Sequence, residues 1–148
     1  MANYESFMVT TDLLVTDDPE GLKKKLAELG IRTWQEAGSD GLYYDEEKPG
    51  QFWFGGYDAD DQVFLTTPGG AEGSEVWLPE ALQPFVKPRT TWVYQKVGHE
   101  WLRYVVGQVV VVTSERVLTD DLDAAADRLA KYSPHIPTFN EAKPNPVI

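Results

Sequence analysis

The sequence predicts a single α+β domain: a mainly antiparallel sheet of six to seven strands, arranged as two meanders, with two helices packed on one face. Three observations lead there. Residues 91–113 crowd Trp92, Val93, Tyr94, Trp101, Tyr104, Val105, Val106 and Val109 to Val112 into one stretch that breaks only at Gly98 and Gly107, which reads as three strands joined by tight turns. A second stretch, 42–66, is similarly rich in aromatics between polar turns. Two further segments carry apolar residues at helical spacing, Leu22, Leu26 and Leu29 in one and Leu122, Ala125, Ala126, Leu129 and Tyr132 in the other. Strands in runs, with a helix after the first and another after the last, pack most simply as an antiparallel sheet with helices covering one side.

Taken in order, residues 4–16 alternate, with Phe7, Val9, Leu13 and Val15 on odd positions expected to face the core. Asp17 or Asp18 can cap the following helix, Pro19 suits its first turn, and Gly30 ends it. Lys23, Lys24 and Lys25 then fall on its solvated side. Trp34 is expected to anchor the core, and residues 38–40, Gly-Ser-Asp, to turn. Residues 42–45 and 51–57 read as a hairpin across 46–50, and 62–66 as the next strand of that meander. The glycine-rich stretch 68–74 joins the two halves of the sheet. Pro79 starts a short helical turn bearing Leu78, Leu82 and Phe85 on one side. After the second meander, Thr119 or Asp120 can cap the last helix, whose apolar stripe is expected to be buried. Residues 1–133 form the domain, and 134–148, with four prolines, form a tail of little regular structure.

Composition narrows the function. The 148 residues are enough for one core, and 42% hydrophobic residues with five Trp exclude a disordered chain despite a net charge of -11. Without cysteine there is no thiol nucleophile and no cysteine-based metal site. The first thirty residues lack a signal-peptide pattern and no apolar run reaches the length of a membrane span, so a cytoplasmic protein is expected. A chain this acidic repels phosphate backbones, which argues against direct nucleic-acid or anionic-membrane binding. No nucleophile elbow, phosphate loop, dinucleotide fingerprint or H-E-x-x-H occurs. His99 and Glu100 are sequence neighbours and so point to opposite faces of a strand, and neither His99 nor His135 has the spacing of a metal ligand pair. Asp58, Asp60 and Asp61 are close enough to suggest calcium, but an EF-hand begun at Asp58 would place Val63 where its glycine belongs. The sequence therefore points to a non-enzymatic protein with no cofactor and no metal.

Charge is concentrated. Residues 36–75 hold ten acids against Lys48 alone, nine of the eleven net negative charges, alongside Tyr43, Tyr44, Phe52, Trp53, Phe54 and Tyr57. Alternate residues of a strand face opposite sides, so either Trp53 or the pair Phe52 and Phe54 needs a second cover. Aromatic anchors among steering carboxylates suit a patch that docks, and blocks, a basic surface on another protein, in the manner of an inhibitor, immunity protein or nucleic-acid mimic. The residues expected to carry it are Tyr44, Asp45, Glu46, Glu47, Trp53, Tyr57, Asp58, Asp60 and Asp61. A homodimer contact is a second use for the surplus aromatics. The alternative is a small-ligand module, with Trp92, Tyr94, Trp101 and Arg103 lining a sheet face that holds an anionic or nucleotide-like metabolite.

Overall fold

The computed structural model describes residues 4–37, 41–57, 64–66, 75–100 and 104–132. Among them the elements run β1 (Tyr4–Asp12), β2 (Leu14–Val15), α1 (Pro19–Glu28), β3 (Arg32–Thr33), α2 (Trp34–Ala37), β4 (Leu42–Lys48), β5 (Gln51–Tyr57), β6 (Phe64–Thr66), β7 (Glu75–Trp77), α3 (Leu78–Leu82) with a 3₁₀ turn (Gln83–Phe85), β8 (Trp92–Glu100), β9 (Tyr104–Val112), β10 (Val117–Asp121) and α4 (Leu122–Lys131). The α+β class holds, with an eight-stranded, mostly antiparallel sheet and four helices among the described residues. The tail 134–148, Gly38–Asp40 and the loop 68–74 lie outside those residues.

The strand order is β10-β9-β8-β1-β5-β4-β3, with β2 also paired to β5. The N-terminal strand thus sits mid-sheet and joins two antiparallel halves, β4–β5 on one side and β8–β9–β10 on the other. The β3–β4 pair is parallel, which makes the sheet mixed. The expected third strand of the first meander is elsewhere: β6 pairs with β7 in a separate two-stranded sheet.

The second meander also differs from expectation. Gly98 and Gly107 are not turns but lie inside β8 and β9, where Gly98 pairs with Val106 and Gly107 with Val97. The stretch is one long hairpin of two nine-residue strands, and the third strand is β10. A glycine among β-branched residues can mark close approach as well as a turn, and at Gly107 an added Cβ would lie 3.1 Å from the Leu122 side chain of α4.

The core lies on one face of the sheet. Met8, Phe52, Phe54, Trp92, Tyr94, Val110 and Val112 are buried against Leu22, Leu26 and Leu29 from α1 and its C-terminus, and Leu78 and Leu82 of α3. Phe54, Trp92 and Tyr94 pack in a row of tilted rings with centroid separations of 5.1 and 5.0 Å. In β1 it is the even residues that face this core: Ser6, Met8 and Thr10 are buried whereas Phe7 is 38% exposed. The alternation read from the sequence was right and its face inverted. Thr10 explains why a polar residue is tolerated inside. The β1–β5 register stops at Val9–Gly55 and pairing resumes through β2 at Leu14–Phe52. In the gap, Phe54 N–H donates to Thr10 Oγ1 at 3.0 Å, and Trp92 Nε1–H donates to the same oxygen at 3.3 Å.

Helix α1 forms as its sequence dictates. Asp18 caps it by accepting from Gly21 N–H at 3.0 Å, with Pro19 in the first turn. The other long helix departs from expectation. Asp121 caps α4 by accepting from Ala124 N–H at 2.6 Å, but no residue of α4 is buried. It packs near Gly107 on the opposite face of the sheet from α1, so the two helices do not share a side. Trp34, expected in the core, is 54% exposed on α2.

Candidate functional site

The acidic, aromatic segment builds the β4–β5 hairpin, and its register sorts the predicted residues between two faces. Tyr44 opposes Phe54 and Glu46 opposes Phe52, on the core side. Tyr44 packs its ring 5.8 Å from Phe52 and 6.3 Å from Phe54, and burial raises its phenol pKa. Glu46 is structural: it accepts from Lys23 Nζ at 2.6 Å and from Gly50 N–H at 2.9 Å, tying the hairpin turn to α1. The Lys23 hydrogen bond, followed by that of Gly50, holds the Glu46 carboxyl below its ordinary range, and Glu46 in turn raises Lys23. Lys23 is therefore not merely part of a solvated helix face. Gly50 adopts φ 76°, the left-handed conformation the tight Pro49-Gly50 turn requires.

The other face gathers the remaining rings. Asp45 stands directly opposite Trp53, and Tyr43 opposite Gly55. The Tyr43 and Trp53 rings are 5.9 Å apart, and the indole lies so close over Gly55 that a Cβ there would run into it. Tyr57, 59% exposed, pairs with Phe7 of β1 at a centroid separation of 6.3 Å. Glu47 is exposed in the register shift between Glu46 and Lys48. The outcome is a row of four rings, Tyr43 and Trp53 half-buried and Tyr57 and Phe7 exposed, bordered by half-buried Asp45 and exposed Glu47. Tyr43 and Phe7 were missed as site residues; the alternation of Tyr43 with Asp45 along one strand was the available signal for the first. Phe7 could not be found, because its face in β1 was read the wrong way round.

Asp58, Asp60 and Asp61 lie outside the described residues, as do Trp101 and Arg103. Trp92 and Tyr94 are fully buried, so the face they line is packed core, and burial drives the Tyr94 phenol far above the tyrosine range. Among the described residues no group of three or more acidic or histidine side chains comes together to hold a metal, and no helix is long and apolar enough to cross a membrane.

Comparison with protein-family models, curated proteins and solved structures finds no match to this chain.

Proposed function

We propose that this chain is a non-enzymatic interaction module that docks a basic surface of another protein through the outer face of the β4–β5 hairpin and blocks that surface while bound. The observation that supports the reading is the Asp45–Trp53 pairing, which sets a carboxylate beside an indole already braced by Tyr43. Aromatic anchors supply contact area at low entropic cost, and flanking carboxylates steer a cationic partner and speed its encounter. The concentration of nine net negative charges in residues 36–75 extends that attraction.

The test is capture from native extract with the immobilised chain at low and high salt, in parallel with a variant carrying Asp45→Asn, Glu47→Gln and Trp53→Ala. The expected result is a basic protein held by the native chain at low salt, released at high salt and lost from the variant. Equal retention by both chains would refute the assignment.

A further inference from the structure

The β4–β5 hairpin occupies one end of the outer sheet face; the other end, at β9, β10 and α4, presents a different chemistry. Val105 and Val109 of β9 and Leu118 of β10 share that face by register, since Val110 and Val112 are the core-facing residues of β9 and Leu118 opposes Val111. They are 54%, 38% and 52% exposed. Beside them Leu122, Leu129 and Tyr132 recur along one side of α4 and its C-terminus, exposed by 54%, 68% and 84%. Between helix and sheet runs an apolar groove of about 360 Å³, walled by Val97, Val105, Gly107, Val109, Leu122 and Ala125.

We propose that a second copy of this chain covers this end, forming a two-fold dimer in which the two α4 helices pack antiparallel across the exposed valines and leucines. Area and the distribution of charge across the sheet support this occupant. At roughly 150–250 Å² for a large side chain, the six exposed residues offer about 600 Å² per protomer, so a symmetric pair buries about 1,200 Å² and passes the ~1,000 Å² of a specific interface. The strand order also puts β10 at the opposite edge from β4. Residues 104–132 carry five acids and three bases, against ten and one in 36–75, so the copies repel less here than they would at the hairpin end. This contact is independent of the docking reading and leaves the Asp45–Trp53 surface open on both subunits.

The experiment is sedimentation equilibrium of the full chain across the micromolar range at low and high salt. The expected mass is twice the 16.6 kDa of the chain, with association holding or tightening in salt as the negative charges are screened; docking of a basic partner weakens in salt instead. Leu129→Asp with Tyr132→Asp, at two highly exposed positions, is expected to keep the far-UV circular dichroism and weaken dimerisation at least tenfold, about 1.4 kcal/mol. Because the chain has no cysteine, Ala126→Cys on α4 is expected to form an intersubunit disulfide on oxidation, while Ala27→Cys, exposed on α1, does not. A native chain that stays monomeric without an Ala126→Cys cross-link would overturn the proposal and assign the face to a foreign partner. A dimer of unchanged strength in the double variant would overturn it too, placing the contact elsewhere.

Discussion

Replacing Thr10 by valine adds apolar surface to a buried position, yet it is expected to destabilise the protein more than replacing it by serine. Thr10 Oγ1 accepts from two buried donors, Phe54 N–H at 3.0 Å and Trp92 Nε1–H at 3.3 Å. Valine has nearly the same shape and no acceptor, so both donors stay in the core without their partner. A buried donor left in that state costs about 1–3 kcal/mol, and since the indole bond is the longer one, the pair is expected to cost about 2–4 kcal/mol. Serine keeps the oxygen and loses one methyl, a change of about 1 kcal/mol. Urea unfolding followed by circular dichroism measures both, and with an m-value of about 2 kcal/mol/M the valine variant should lose about 1–2 M of midpoint. Hydrogen exchange at the Trp92 indole adds a local readout, faster in valine than in serine. A valine variant as stable as the native chain would show that the gap between β1 and β5 is not closed by this hydroxyl.

The opposite change is expected at Tyr94, whose buried hydroxyl has no hydrogen-bond partner among the described residues: Tyr94→Phe should hold or raise the urea midpoint, because it removes a desolvated polar group and keeps the ring contact with Trp92. Gly55→Ala drives a Cβ into the Trp53 ring and is expected to cost about 1–3 kcal/mol by overpacking, with a change in tryptophan fluorescence as the indole is displaced. Trp34→Ala should cost far less than Leu26→Ala, within about 1 kcal/mol against about 2–5, since Trp34 is 54% exposed and Leu26 fully buried; comparable losses in denaturant would contradict the assignment of α2 to the surface. On acidification, the folded Glu46 carboxyl titrates below its ordinary value of 4.5. Its contribution is therefore fully present above pH 4.5 and is lost as pH falls through the lowered value. Glu46→Gln should flatten that part of a stability–pH profile and lower the plateau near neutrality without changing its slope there.

Local chemistry made much of the fold legible. Asp18, Pro19 and Gly30 bracket α1 because capping and left-handed residues act within a turn of the chain. Pro49-Gly50 sets the β4–β5 hairpin for the same reason, and Pro79 starts α3 as expected. The acidic and aromatic enrichment of residues 36–75 needed only counting. Less accessible was the choice of face. In β1 both sets of alternating residues are plausible core, and the inward set contains Thr10, whose oxygen is useful only once Phe54 and Trp92, 44 and 82 residues away, are folded around it.

The same reason governs the site. Composition and spacing by themselves determined that this chain folds as an α+β domain, where its first helix is capped, and that its charge gathers in one segment. Tertiary structure decided how the carboxylates are used: Glu46 is held by Lys23 and the Gly50 N–H, whereas Asp45 stands opposite Trp53 on the outer face. It also decided that the apolar stripe of α4 is exposed, since the sequence of an amphipathic helix specifies that a face must be covered but not by what. Those outcomes depend on strand order and register, and both are set by contacts between residues far apart in the chain.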